Sequence, residues 1–219
     1  MLGTAALCLA LAGALAAQGE VPVLYAVTAS FPSFEYEFDF ASDRYGEPWM
    51  TGCSSCLPAS ETGYYGPDNL LDGDLATAWI EGAEGPGTGE YFSFRAPLFA
   101  DYLAPEIIAE NGIDMIGYPV MMLVLYNGFQ GNRDQYRAYG RVRTLMLWLN
   151  DERVCFVELE DTPEPQMIEL QDLWQIDPSY QGLSVDDGDT VRFEILDVYP
   201  GNLYDDTAVS EILILGGQG

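Results

Sequence analysis

The stretch that decides the fold reads D-N-L-L-D-G-D-L-A-T-A-W-I-E-G and runs from Asp68 to Gly82. Asp72 and Asp74 flank a glycine that permits positive φ, so both carboxylates can turn toward one point. The Thr77 hydroxyl follows three residues later. Oxygen atoms gathered on one bend are the ligands that a hard cation such as calcium takes. The apolar residues that begin at Trp79 return to a core, so this stretch is predicted to close one end of a β-sandwich.

The first 17 residues are predicted to be a secretory signal peptide. Met1 to Ala17 has no charged side chain, and an apolar run from Leu7 to Leu15 is followed by small residues. The run is too short to span a bilayer, so we expect a secreted product, extracellular or periplasmic, without a membrane span. A buried N-terminal helix is the alternative. Residues 18–50 are expected to form an extension that packs on the sandwich, and residues 51–219 the domain itself.

The charge of the chain is strongly one-sided. It carries 35 acidic and 8 basic residues, a net charge of −27, and it has no histidine. Such a chain repels nucleic acid and anionic lipid, so neither is expected as a partner. Catalysis by Ser–His or Cys–His pairs is excluded, and carboxylate pairs of the glycosidase type have no distinctive pattern because acids occur throughout the chain. We therefore predict a protein that is not an enzyme.

Short strand patterns and turns dominate the rest of the chain. The nearly continuous apolar run from Val120 to Tyr126 predicts a buried strand, and Val142–Asn150 with Arg153–Glu160 predicts a hairpin that turns at Asn150-Asp151. Only the segment 98–119 breaks this pattern, and it is predicted to hold one short helix. The fold class is therefore all-β: an antiparallel jelly-roll sandwich with one short helical insertion.

Three cysteines follow the predicted signal peptide, namely Cys53, Cys56 and Cys155. A secreted protein with three cysteines is expected to form one disulfide and to keep one thiol. If the C-S-S-C segment is extended, its two ends lie about 10 Å apart, too far for a direct bridge. We therefore expect Cys155 to pair with either Cys53 or Cys56.

Half of the arginines fall within eleven residues, at positions 133, 137, 141 and 143, interleaved with Tyr136 and Tyr139. Arginine and aromatic side chains supply the donors and the stacking surfaces that sugar rings and anions need. The alternative is that these arginines pair with the acidic surface of the protein itself. The sequence favours neither interpretation.

Three segments together resemble a known family. They are N-L-L-D-G-D-L-A-T-A-W at Asn69–Trp79, Y-N-G-F-Q at Tyr126–Gln130, and D-V-Y-P-G-N-L-Y-D-D-T-A-V-S-E-I at Asp197–Ile212. They are similar to the discoidin domain, also called the coagulation factor V/VIII type C or galactose-binding-like domain. The nearest variant is the domain attached to bacterial NAD glycohydrolases, where it serves as a glycan-binding or translocation module. We expect the catalytic glycohydrolase portion to be absent, because only four residues follow the closing strand.

The resemblance implies a jelly roll with a ligand surface formed by loops at one end. It also implies a structural calcium ion held by Asp72, Asp74, Thr77 and Glu211 with the Ala208 carbonyl; a metal-free turn is the alternative. Candidate ligand contacts are Asn127, Phe129, Gln130, Asn132, Arg137 and Arg141 on one side, and Tyr204 and Asp205 on the other. The expected function is carbohydrate binding. The alternative is an adaptor or translocation module whose partner is a cell-surface protein.

Overall fold

Two sheets that share one hydrophobic core form the molecule. The computed structural model describes residues 21–28, 49–60, 63–96, 118–173, 183–186 and 188–216. In chain order its strands are β1 (Val23–Tyr25), β2 (Val27–Thr28), β3 (Met50–Cys53), β4 (Trp79–Ile80), β5 (Tyr91–Arg95), β6 (Tyr118–Asn127), β7 (Arg141–Leu149), β8 (Glu152–Glu158), β9 (Gln166–Glu169), β10 (Leu183–Val185), β11 (Thr190–Tyr199) and β12 (Ala208–Gly216). The predicted signal peptide and the predicted helix lie outside the described residues.

Most consecutive strands lie in different sheets, so the chain passes repeatedly from one layer of the sandwich to the other. The first sheet has the order β1-β8-β7-β11-β5-β3, and the second has the order β2-β9-β6-β12-β4, with β10 also paired to β6. Every pairing of these strands is antiparallel except that of β1 with β8. The predicted hairpin is β7–β8, and it turns at Asn150 with φ 54°. The predicted all-β antiparallel sandwich is confirmed.

An aromatic cluster occupies the centre of the core. Period-two alternation along β5 directs Phe92 and Phe94 inward and places Tyr91, Ser93 and Arg95 on the opposite face. Phe92 stacks on Phe193 of β11 at 5.0 Å and meets the edge of Trp79 at 5.2 Å. All four rings are fully buried. Trp79 is thus a core residue, as the sequence predicts, and it holds the end of the acidic stretch against the sandwich.

The N-terminal extension contributes one edge strand to each sheet. β1 pairs with β8 in the first sheet and β2 pairs with β9 in the second, with only Ala26 between them. The segment therefore crosses from one sheet to the other within six residues.

Helical structure lies where the sequence did not indicate it. β6 begins at Tyr118, inside the segment 98–119 that was expected to be an insertion. The α-helix in the described part of the chain is α1 (Arg133–Ala138), whose first N–H groups are capped by the Asn132 side chain. Short 3-10 helices cover Pro67–Leu70 and Leu170–Asp172.

The expected disulfide to Cys155 is wrong. Cys155 lies in β8 and Cys53 in β3, in the same row of the first sheet but four strands apart. Four spacings of about 4.8 Å separate them by roughly 19 Å, whereas a disulfide needs Cα atoms within about 7 Å. All three cysteines are free thiols, and Cys155 is fully buried.

Candidate ligand-binding site and acidic loop

The acidic loop after the first 3-10 helix is closed by its own hydrogen bonds. Gly73 has φ 72°, a conformation that lets the chain turn between the two aspartates. The Asp72 carboxylate accepts from the Asp74 N–H at 2.8 Å and from the Thr77 hydroxyl at 2.7 Å. Asp74 in turn accepts from the Ala76 N–H at 2.9 Å. The loop is therefore two successive Asx turns.

Glu211 ties this loop to the last strand. It lies in β12 and is 2% exposed, and its carboxylate accepts from the Gly73 N–H at 2.9 Å. Burial raises the pKa of Glu211 to about 8; the Gly73 hydrogen bond opposes this shift, and the charges of Asp72 and Asp74 add to it. The fifth predicted calcium ligand, the Ala208 carbonyl, accepts instead from the Gly128 N–H at 3.1 Å.

The oxygen atoms of the acidic loop suit a calcium ion, but their arrangement does not. Its oxygens are the chemistry that calcium takes. Within the described ranges, however, no group of three or more Asp, Glu, Cys or His side chains is arranged to hold an ion. The aspartate oxygens face N–H and hydroxyl donors, so a cation would have to displace those hydrogen bonds.

The loop that follows β6 lies beside the acidic loop. The Gln130 N–H donates to the Ser210 hydroxyl at 2.9 Å, and that hydroxyl reaches the Leu75 carbonyl at 3.4 Å. A Cβ added at Gly131 would contact the Ala76 carbonyl at 3.4 Å. The predicted cation loop and the predicted ligand loops therefore share one end of the sandwich.

Asn127 and Phe129 support this end from inside. The Asn127 amide is fully buried and both donates to the Val142 carbonyl, at 2.7 Å, and accepts from the Val142 N–H, at 2.9 Å. Phe129 is 6% exposed and packs in a small cluster with Ile80 and Ala208. Neither side chain faces a ligand directly, so Phe129 is not the exposed aromatic that its polar neighbours suggest.

The Arg141 side chain is also hydrogen-bonded to other residues of the protein. Its guanidinium forms a two-pronged ion pair with Asp161, at 3.0 and 2.9 Å, and donates to the carbonyls of Tyr139 and Pro200 at 3.0 and 2.9 Å. It also lies 5.3 Å from the Tyr136 ring centroid. With its donors used in this way, Arg141 positions the loops rather than contacting a ligand.

The exposed part of the site is an aromatic platform, which we define as Tyr139 and Tyr204. Tyr204 is 44% exposed and stacks on Tyr139 with ring centroids 4.6 Å apart. The N–H groups of Leu203 and Tyr204 both donate to the carbonyl of Ala138 at the end of α1, at 3.2 and 2.9 Å. These bonds dock the 200–207 loop on the helix and set the position of the platform.

The polar candidate contacts differ in their exposure and in whether their side chains already form hydrogen bonds within the protein. Arg137 and Asp205 are exposed, on α1 and on the 200–207 loop respectively. Asn132 is exposed but its amide oxygen caps α1, and the Gln130 amide donates to the Asn127 carbonyl at 2.6 Å. Of the eight predicted contacts, Tyr204, Arg137 and Asp205 are exposed and lie on α1 or on the 200–207 loop, the two elements that support the platform.

Sequence reasoning missed Glu81 as part of the support. This carboxylate is fully buried and accepts from the N–H groups of Thr207, at 3.1 Å, and Ala83, at 2.8 Å. Burial raises the pKa of Glu81. It holds the base of the 200–207 loop against the loop that follows β4. A single acid in W-I-E-G gives no signal of this role, because the backbone N–H group that it holds in the 200–207 loop is 126 residues away.

Solved structures share this fold. The chain has a TM-score of 0.50 and 10% identity to a structure of the CBM32-1 and CBM32-2 domains from Clostridium perfringens ZmpB, covering 88% of this chain and 41% of that one. It also resembles the F5/8 type C domain of a Bacteroides fragilis protein, with TM-score 0.45 and 14% identity over 76% of this chain and 89% of that one. No curated protein sequence matches the chain. Among the described residues no helix is long and apolar enough to cross a membrane.

A family model matches most of the chain. It is the NAD glycohydrolase translocation F5/8 type C domain, and it covers residues 45–113 and 117–215. The matched residues include both the acidic loop and the loop that carries Tyr204. The chain therefore belongs to the family of NAD glycohydrolase translocation F5/8 type C domains.

Proposed function

We propose that this protein is a secreted, non-catalytic module that binds carbohydrate through its aromatic platform. The observation that carries the proposal is the exposed Tyr204 ring stacked on Tyr139 at the loop end of the sandwich. A stacked tyrosine is already ordered, so binding costs little side-chain entropy. Its free face can pack against the apolar face of a sugar ring.

Polar side chains beside the platform can orient a bound sugar through hydrogen bonds. Arg137 offers up to five N–H donors and Asp205 offers carboxylate acceptors, which suit the hydroxyl groups of a pyranose. Arg141 and Glu81 are hydrogen-bonded to the two ends of the 200–207 loop, at Pro200 and Thr207. Both side chains are buried and do not contact the ligand in this proposal. The site thus pairs one rigid aromatic surface with two exposed polar side chains, the usual arrangement for an amphipathic ligand.

The test is glycan-array binding of the purified chain, followed by titration with the best glycan. Replacing Tyr204 by Ala is expected to weaken binding at least about tenfold, the effect typical of losing a central aromatic contact. Tyr25→Ala is the matched control, because Tyr25 is 59% exposed and lies on edge strand β1. An array without any sugar preference for the wild type contradicts the proposal, and so does an equal loss in both variants.

The second candidate function is binding of a protein partner during translocation. The family description favours it, and Leu203 beside the platform is 69% exposed, an apolar anchor that sugars do not need. Leu203→Ser separates the two functions. It is expected to reduce capture of a protein partner while leaving glycan affinity within about twofold, whereas Tyr204→Ala reduces both.

We also propose that the acidic loop binds calcium. Glu211 is buried beside two further carboxylates, and the ion pairs of the described residues, Arg141–Asp161 and Arg143–Asp197, lie elsewhere. A bound cation would offset the repulsion between the carboxylates of Glu211, Asp72 and Asp74. Thermal melts with calcium and with a chelator are expected to differ by several degrees for the wild type and not for Asp72→Asn. An identical melt in both conditions rules out the metal.

The proposal that the protein is not an enzyme is tested directly. Turnover of NAD or of a chromogenic glycoside by the purified chain contradicts it, provided that the activity survives further purification. No such turnover is expected, because the two buried carboxylates at the loop end, Glu81 and Glu211, are hydrogen-bonded to backbone N–H groups inside the protein.

A further inference from the structure

The chain bends directly after β3, within the C-S-S-C segment. β3 ends at Cys53, and the chain bends at Ser54. The Ser54 N–H donates to the Tyr91 carbonyl of β5, and the Leu57 N–H donates to the Ile80 carbonyl of β4, each at 2.9 Å. The segment is therefore anchored at both ends to different strands. It is not extended, which is the assumption that excluded a bridge between its own cysteines.

The side chains of the segment confirm how tightly it is folded. The hydroxyls of Ser54 and Ser55 both donate to the Glu90 carboxylate, and the Trp79 indole N–H donates to the Ser55 carbonyl at 3.0 Å. These bonds pull the two residues between the cysteines to one side. Cys53 and Cys56 both pack against the main core, and the Cys56 side chain is near enough to raise the pKa of the Cys53 thiol.

We infer that Cys53 and Cys56 form an intrachain disulfide when the protein meets a disulfide oxidant, while Cys155 remains a thiol. Both members of the pair are half-buried, so a small oxidant can reach them. Cys155 is fully buried in β8, and three strands lie between β8 and the strand that carries Cys53. The geometry thus selects one pairing out of the three that three cysteines allow.

The chemistry needs one external disulfide for each bond formed. A thiolate of the pair attacks one sulfur of the oxidant and forms a mixed disulfide with it, while the half of the oxidant that is released takes up a proton and leaves as a thiol. The second cysteine of the pair then displaces the other half of the oxidant from the mixed disulfide. The products are the Cys53–Cys56 bond and two thiols derived from the oxidant, so two electrons pass from the protein to the oxidant.

The surroundings suit a structural bond rather than rapid catalytic exchange. Burial raises the pKa of Cys53, and the adjacent Cys56 and the Glu90 charge add to the effect. Catalytic C-x-x-C pairs have a lowered thiol pKa instead, because the thiolate is the reacting species. The pair is accordingly expected to oxidise slowly and then to stay oxidised outside the reducing interior of a cell.

The bond would fix the chain next to the small cluster against which Tyr139 of the platform packs. Leu57, the residue after Cys56, packs with Tyr65 and Tyr139 on the small cluster formed around Phe129. Closing the four-residue loop from Cys53 to Cys56 therefore restrains the support of Tyr139 without touching the exposed ring of Tyr204.

The test is a peptide map of the full chain after incubation with oxidised glutathione. The protein is unfolded, its remaining thiols are alkylated, and the linked peptides are identified by mass spectrometry. The expected result is a Cys53–Cys56 bridge with Cys155 alkylated, and the same bridge in Cys155→Ala. A linked peptide that contains Cys155, or full alkylation of Cys53 and Cys56 after prolonged oxidation, overturns the inference.

A melting experiment tests the same bond by its effect on stability. Chain-entropy loss for so short a loop predicts that oxidation raises Tm by roughly 4–7 °C and that a reductant reverses the rise. Cys56→Ser should show no rise, and its Cys53 should instead carry glutathione as a mixed disulfide. A reversible rise of the same size in Cys56→Ser would contradict the assigned pairing.

Discussion

Replacing Arg141 is expected to be the most damaging single change at the loop end. Four hydrogen bonds of 2.9–3.0 Å are lost in Arg141→Ala, two to Asp161 and two to the carbonyls of Tyr139 and Pro200. Removing one member of a buried ion pair typically costs 3–5 kcal/mol. The Asp161 side chain is 42% exposed and can be rehydrated, so we expect about 3 kcal/mol of lost stability. Arg141→Lys keeps the charge but not the planar geometry, and should cost roughly 1–2 kcal/mol.

The matched control is the second ion pair of the described residues. Arg143 and Asp197 are joined at 3.1 Å, but their side chains are 52% and 53% exposed, so Arg143→Ala should cost less than about 1 kcal/mol. Urea unfolding measures all three variants. Because Arg141 holds the carbonyl of Tyr139, its loss should also weaken glycan binding, whereas Arg143→Ala should not. Equal destabilisation by Arg141→Ala and Arg143→Ala would refute the reasoning that burial makes the difference.

Three further variants probe the core and the platform. Gly201→Ala should weaken glycan binding at least about tenfold, because its Cβ would lie 2.3 Å from the Ala138 carbonyl oxygen, and calorimetric titration would measure the loss. Phe92→Ala should cost about 3–5 kcal/mol in urea unfolding, since the fully buried ring contacts three other aromatic rings. Burial raises the pKa of Glu81 above its ordinary 4.5, so its folded state retains a proton that the unfolded chain releases. The stability of the wild type relative to Glu81→Gln should therefore be greatest below about pH 4.5 and should fall as pH rises through the folded pKa; a difference that grows with pH would contradict this sign.

Local patterns predicted the sandwich because its strands obey local rules. Phe92 and Phe94 alternate with polar residues, and β6 contains the apolar run from Val120, so period and composition identify these strands without tertiary information. The hairpin turn at Asn150 follows the same logic, because an Asn tolerates positive φ. These features depend on neighbours in sequence.

The details of the site depend on neighbours in space, and local patterns failed there. Phe129 stands in a polar stretch and resembles an exposed aromatic, but it is covered by residues of β4 and β12. Arg141 resembles a free cation until Asp161 and Pro200 are brought beside it. Tyr204 was correctly placed in a loop, yet its stacking partner Tyr139 is 65 residues away in sequence, and only the fold joins the two rings.

The helix and the cysteine pair show the same limit on a smaller scale. α1 has six residues, too few for an apolar period to emerge, and its signal is a single capping residue, Asn132. The strand-like flanks of the C-S-S-C segment predict an extended chain, but the structure bends there. Its bend is imposed by Glu90 and Trp79, which lie outside the segment.

The crossing of Val23–Thr28 from one sheet to the other has a consequence for association between molecules. With this segment in place, the outermost strand on that side of each sheet has only two or three residues, too short to template a neighbouring chain. Detaching it would turn β8, seven residues long, and β9 into open edges at the same time. The six residues therefore protect two sheets at once, and a protease that removed them would leave a protein inclined to aggregate through strand pairing.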